Sequence, residues 1–334
     1  MSKNIIIAEA GVNHNGKLSL ALKMVDIAAK SGADFVKFQK FDPKLLAQKN
    51  LGLANYQKKF TQIKSQLKML NKLTLKDKDY QKIIKRCKQK KIKFLLSPFD
   101  LESVNYIKKL RIKVIKIPSG EINNVPYLRE IGKMKVSIIL STGMSDLNEI
   151  KNAINILINS GTKKRNISVL HCNTEYPANT KKLNLNSIPF LKNKLRLNIG
   201  YSDHSLGYGA SLMALALGAK IFEKHFTLNK NLKGPDHEAS LSPKELIKYV
   251  ANLRKFEKSL GKYEKKPYRE EIINSKVVRK QIIASKKIKK GEKFNKENIT
   301  TKRAKVGISA AKWDKVIGKV SNFNFLPDEN IRLK

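Results

Sequence analysis

The sequence predicts an α/β fold: a (β/α)8 TIM barrel over residues 1–261, a linker over 262–276 and a small β domain over 277–334. Three observations predict it. Eight short β-branched runs alternate with longer stretches of helical period, the pattern of a parallel sheet wound with crossover helices. The eight units together span about 260 residues, the size of such a barrel. Beyond Gly261 the chain turns rich in Lys, Glu and Pro, then breaks into short apolar pieces separated by turns such as Lys290-Gly291-Glu292.

The strand candidates, in order, are residues 5–10, 35–39, 93–97, 114–117, 136–141, 167–172, 197–201 and 220–225. Between the first two, residues 18–31 carry Leu18, Leu22, Val25, Ala28 and Ala29 on one helical face. The second connection, residues 41–75, is long for a compact domain and holds Asn55-Tyr56-Gln57, which reads as a lid or binding segment. Residues 146–160 repeat the helical pattern with Ile150, Ala153, Ile154 and Leu157. The last barrel helix ends near Gly261, and a β-type segment is expected from Val277. Ile282-Ile283-Ala284, Ile299-Thr300, Val316-Ile317-Gly318 and Asn330-Ile331 then read as short strands and turns, too small a unit to be catalytic alone.

Composition narrows the function. At 334 residues and 41% hydrophobic, the chain has ample material for a core and none of the signature of disorder. No apolar run is long enough to cross a bilayer, so a soluble, cytoplasmic protein without membrane association is expected. Cys87 and Cys172 stand apart and suggest neither a disulfide framework nor a CxxC metal site. The formal charge of +42 raises the question of nucleic acid. Yet lysine dominates and is spread over nearly every helix and loop, while arginine, which reads bases bidentately, is scarce. Weak, salt-sensitive sticking to RNA is expected, and specific recognition is not.

In a barrel the chemistry sits where strand C-termini open into loops. Polar and ionisable groups recur at those positions on nearly every strand: Glu9, Lys37 and Gln39, Ser97-Pro98-Phe99, Lys116 with Ser119-Gly120-Glu121, Ser141-Thr142-Gly143, His171 to Pro177, Ser202-Asp203-His204 and Glu223-Lys224-His225. His204 and His225 end consecutive strands and are therefore neighbours. Two imidazoles with carboxylates nearby suit a divalent ion such as manganese acting as a Lewis acid, although a lone barrel histidine is more often a hydrogen-bonded core residue. Glu9, across the mouth, could hold a metal-bound water. Lys37 and Lys116 point inward, where two buried ammonium groups call for an anionic partner such as a phosphate or carboxylate ligand. Ser119, Ser141 and Ser202 offer hydroxyl donors to the same anion; each alone would pass for an ordinary turn or cap residue.

Seven motifs then stand in register: Ala8-Glu9-Ala10-Gly11-Val12-Asn13-His14-Asn15-Gly16, Val36-Lys37-Phe38-Gln39, Lys116-Ile117-Pro118-Ser119-Gly120-Glu121, Leu140-Ser141-Thr142-Gly143-Met144, Gly200-Tyr201-Ser202-Asp203-His204, Glu223-Lys224-His225-Phe226-Thr227 and Gly234-Pro235-Asp236-His237. Together they resemble the sialic acid synthase family, which condenses phosphoenolpyruvate with an open-chain N-acetylated mannosamine-type sugar to give N-acetylneuraminate or legionaminate plus phosphate. The tail is similar to the family's antifreeze-like (SAF) domain, a β-clip, with Ile299-Thr300-Thr301-Lys302-Arg303 and Gly307-Ile308 in place. The resemblance implies that His204 and His225 bind manganese, with magnesium or cobalt as alternatives, and that Glu9 holds its water. It implies Lys37, Lys116, Ser119, Ser141 and Ser202 for phosphoenolpyruvate, and Gln39, Phe99, Glu121, Tyr176 and Asp236 for the sugar. Glu9 and Glu121, with the two histidines, are the expected catalytic set. It further implies a domain-swapped homodimer in which Arg303 reaches the partner's site. The family commonly has Lys-Arg-Pro-Gly where this chain has Lys302-Arg303-Ala304-Lys305, and Asn173-Thr174-Glu175-Tyr176 looks more like the legionaminate synthases, whose acceptor is a 2,4-diacetamido-2,4,6-trideoxymannose. A pseudaminate synthase or another phosphoenolpyruvate-dependent keto-acid synthase on the same barrel is the nearest alternative. A catalytically dead, RNA-binding barrel is the alternative from a different class.

Overall fold

The computed structural model describes residues 3–49, 51–52 and 65–333, and the chain divides into two compact units, Met1–Gly261 and Lys262–Lys334. In the first unit eight strands pair in parallel: β1 (Ile5–Gly11), β2 (Phe35–Lys40), β3 (Lys93–Pro98), β4 (Val114–Ile117), β5 (Ser137–Ser141), β6 (Ile167–Cys172), β7 (Asn198–Asp203) and β8 (Ile221–His225). Their order is β3-β2-β1-β8-β7-β6-β5-β4, and β3 and β4 lie side by side without a ladder to complete the ring. Each strand begins and ends within about two residues of its sequence-based position, because β-branched runs bounded by turn residues leave little choice.

Alternation along the strands builds two cores. Outward residues such as Ile6, Ala8, Val36, Phe38, Leu96 and Phe222 pack under the helices. Inward Ile7, Phe35, Leu95, Ile139, Leu170 and Ile221 form a separate apolar floor inside the ring. The helices follow from their own stripes. Leu18–Ser31 buries Ala21, Met24, Val25 and Ala28 and stops at Gly32. Leu147–Asn159 buries Ile150, Ala153, Ile154 and Leu157 and starts at a capping box of Asp146 and Glu149.

The long second connection contains the short helices Pro43–Leu46 and Gln66–Asn71, while Asn55-Tyr56-Gln57 lie outside the described residues. The β-type segment expected from Val277 is instead the end of a helix, Arg269–Val278, which takes up the second half of the expected linker. Ile272, Ile273, Val277 and Val278 favour a strand by propensity. Glu271 nevertheless accepts from the Tyr268 N–H, and Glu270 with Glu271 in the first turn and Lys276 in the last complement the helix dipole. The second unit then pairs β9 (Lys280–Ala284) antiparallel with β10 (Ile299–Arg303). It closes on its own core of Ile282, Ala284, Ile288, Phe294, Ile299, Val316, Phe325 and Ile331.

Candidate active site

Above the apolar floor the same alternation turns a second inward layer toward the barrel mouth, and this layer is polar. Glu9, Lys37, Lys116, Ser202 and Glu223 meet in it, all buried. Lys37 Nζ lies 3.3 Å from Glu9 Oε1 and 3.1 Å from Glu223 Oε2. Lys116 Nζ lies 3.2 Å from Glu223 Oε1, which also accepts the Ser202 hydroxyl at 3.0 Å, and Gln39 donates to Glu9 at 3.2 Å. Two carboxylates thus balance two ammoniums out of water, the condition under which such charges can be buried at all.

The balance is uneven. Burial pulls both lysines down. At Lys37 the carboxylates of Glu223 and Glu9 overcome it and the pKa ends above the ordinary value, whereas Lys116 stays below it. Burial likewise pushes both carboxyls up; Lys116 and Lys37 overcome it at Glu223, and Glu9 ends raised. Glu9 is therefore the carboxylate of the pair that takes up a proton more readily. Its Oε2, together with the hydroxyls of Ser97 and Ser141, has no hydrogen-bond partner among the described residues, as suits a layer built for a polar ligand.

At the ends of β7 and β8 the imidazoles of His204 and His225 lie with ring centroids 5.5 Å apart. Burial holds both neutral, pulling His204 down to about 4 and His225 well below its usual range. His204 Nδ1 faces the Asn173 carbonyl, which can only accept, so Nδ1 carries the proton and Nε2 presents a lone pair. Tyr176 stacks on this ring at 4.1 Å, and its hydroxyl lies 3.1 Å from Nε2. Among the described residues His225 Nδ1 has no hydrogen-bond partner, and it lies 3.9 Å from Asp236 Oδ2; burial raises that carboxyl to about 6. Two adjacent neutral imidazoles, one oriented by a backbone carbonyl and one unpartnered, fit a divalent cation. Among the described residues no three His, Cys, Asp or Glu side chains gather closely enough to enclose one, so most of its ligands would come from water and substrate.

The remaining candidates flank this centre. A Cβ on Gly143 would fall 3.2 Å from Ser119 Oγ and 2.6 Å from the Thr174 methyl, so the missing side chain lets the loops after β4, β5 and β6 converge. Glu121, in the turn Ser119–Glu121, accepts from Asn124 at 2.6 Å, and burial raises its carboxyl. Phe99 packs edge-on to Phe41 beside Val12, Met69 and Leu73. Arg303 ends β10 in the second unit. Sequence reasoning assigned no role to Glu223, the group that touches both lysines; its inward parity with Ile221 and His225 was the available signal. Lys224, read with it as a rim residue, faces outward instead. It pairs with Asp203 at 3.1 Å and donates to the Ser205 carbonyl.

With this mouth defined, its relatives can be named. Residues 24–265 match the NeuB family and residues 279–334 the SAF domain. The chain belongs to the NeuB family. Among similar proteins, an N,N'-diacetyllegionaminic acid synthase of Campylobacter jejuni is 50% identical over 99% of this chain and 100% of that protein. A second, from Legionella pneumophila, is 38% identical over 96% and 90%. A pseudaminic acid synthase of Campylobacter jejuni is more distant, at 34% over 95% and 92%. The crystal structure of an N-acetylneuraminic acid synthetase from Leptospira borgpetersenii superposes with a TM-score of 0.72 at 34% identity, over 82% of this chain and 90% of that one.

Proposed function

We propose that this NeuB-family chain condenses phosphoenolpyruvate with the open-chain aldehyde of 2,4-diacetamido-2,4,6-trideoxymannose, giving N,N'-diacetyllegionaminate and phosphate. The observation that carries the choice of sugar is the 50% identity, end to end, with a legionaminic acid synthase. Lys37 and Lys116, with Ser119, Ser141 and Ser202, take the phosphate and carboxylate of phosphoenolpyruvate in place of part of their pairing with Glu9 and Glu223. Gln39, Phe99, Glu121, Tyr176 and Asp236 face the sugar. A divalent cation held by His204 and His225, manganese or else magnesium or cobalt, would supply Lewis-acid chemistry at the aldehyde oxygen.

The methylene carbon of phosphoenolpyruvate forms the new bond to the aldehyde carbon. Water then adds at the former C2 of phosphoenolpyruvate, losing a proton to Glu9 or Glu121, both of which burial leaves receptive. That proton passes to the new alkoxide, and the tetrahedral centre collapses to the ketone, its hydroxyl proton leaving with the phosphate as the C–O bond breaks. The walls of the mouth fix the two substrates face to face. The proposal includes a homodimer in which Arg303 of one subunit serves the other's site. The reaction draws on a cytoplasmic metabolite, so a cytoplasmic location is part of the proposal; no described helix is long and apolar enough to cross a membrane.

The test is phosphate release from phosphoenolpyruvate with manganese, comparing the diacetamido sugar with N-acetylmannosamine and weighing the product. Faster turnover of the diacetamido sugar, with the mass of a diacetyl nonulosonate, is expected. A product made only from N-acetylmannosamine or from a pseudaminate precursor would reassign the acceptor, and no phosphate release with any of them would overturn the reading.

A further inference from the structure

Two of the sequence motifs, Asn13-His14-Asn15-Gly16 after β1 and Gly234-Pro235-Asp236-His237 after β8, contain polar residues that the proposed chemistry leaves unused. Three of them, Asn13, Asn15 and His237, lie in two hydrogen-bonded arms around Asp236. Asn15 Nδ2 donates to the Lys233 carbonyl at 3.0 Å, which turns Asn15 Oδ1 toward His237 Nε2 at 3.2 Å. Oδ1 can only accept, so Nε2 carries the proton of the buried imidazole. Nδ1 then faces the Thr227 hydroxyl at 2.7 Å, whose one hydrogen it shares with the Asn229 carbonyl 3.1 Å away, and Thr227 in turn accepts the Asn229 N–H.

On the other side, Asn13 Nδ2 donates to Ser240 Oγ at 2.9 Å, and Ser240 donates to the Asp236 carbonyl at 2.6 Å. The turn between the two arms is tight. Gly234 has φ +159°, and a Cβ there would fall 2.7 Å from the His237 ring and 3.0 Å from Asn15 Oδ1. Asp236 is thus held through its backbone and its neighbour, while its carboxylate makes no hydrogen bond among the described residues and faces His225.

We propose that Asn13, Asn15 and His237 are positioning residues: a latch between the first and last strands that sets Asp236 against the sugar half of the site and leaves the phosphoenolpyruvate half to residues of β2, β4, β5 and β7 and their loops. This rests on the assignment of Asp236 to the sugar. The experiment uses the full chain, comparing wild type with Asn15→Ala and His237→Gln. In both variants KM for the acceptor sugar is expected to rise about tenfold, the loss of one or two buried hydrogen bonds. KM for phosphoenolpyruvate should stay within about twofold, because Lys37, Lys116 and Ser202 make no contact with the latch.

Hydrogen exchange is the second readout. Amides of residues 228–241 should exchange faster in Asn15→Ala, with those of β4 and β5 unchanged. Equal rises in both KM values, or wild-type exchange over 228–241, would overturn the latch. A wild type that turns over no sugar would overturn the functional reading instead, and the exchange data would still decide the latch.

Discussion

Glu223 lies 3.1 Å from one buried lysine and 3.2 Å from the other, so its loss leaves two ammonium groups with Glu9 alone. Glu223→Ala is expected to cost about 3–5 kcal/mol of stability, the usual result of unpairing a buried charge. Glu223→Gln, which can still accept from Ser202, should cost less. Denaturant unfolding of the two variants checks this, and a loss in Glu223→Ala below about 1 kcal/mol would mean that the lysines are held otherwise. His204→Ala and His225→Ala should each abolish manganese-dependent turnover and weaken manganese binding measured by calorimetry. Substantial activity in excess manganese would remove the metal assignment. Lys37 and Lys116 were legible in the sequence because a lysine closing a β-branched run has an obvious cost to explain. Glu223 was not, since three polar residues in a row, Glu223-Lys224-His225, do not say which of them faces inward.

Parity is a property of the strand, and it sorts the chemistry. On β7 Ser202 turns inward and Asp203 outward; on β8 Glu223 and His225 turn inward and Lys224 outward. The outward Asp203–Lys224 pair is fully buried, and Asp203 also accepts from Ser205 at 2.6 Å and Ser211 at 2.8 Å. This ties the two strand ends together behind the histidines. Across the mouth, the loops after β4, β5 and β6 meet where Gly143 has no side chain. Gly143→Ala should force Thr174 and Ser119 aside at a cost of about 1–3 kcal/mol. Steady-state kinetics should show it as a higher KM for phosphoenolpyruvate, and an unchanged KM would take Ser119 out of the anion site. Element boundaries were legible where a cap or a β-branched run marks them, as at Asp146 and Ile5. They were not at Val277, where strand propensity lost to the Glu271 bond to the Tyr268 N–H and the charge pattern of Arg269–Val278.

For the whole molecule, the buried ring is neutral, two carboxylates against two ammoniums, so the formal +42 belongs to the lysine-covered exterior. If Arg303 acts across a dimer, mixing Arg303→Ala with Lys116→Ala subunits should restore about a quarter of wild-type activity, since random pairing rebuilds one intact site in half of the dimers. No recovery after subunit exchange would confine Arg303 to its own subunit or remove it from the site. The sequence by itself determined the eight strand-helix units and most of the polar residues at the strand ends, because side-chain period and the cost of burying charge act locally along the chain. Which carboxylate neutralises which lysine, which histidine nitrogen is left with a lone pair, and how the β1 and β8 loops grip Asp236 were decided only by the tertiary structure. These contacts join residues as much as 227 positions apart, and their geometry exists only once the ring of strands has closed.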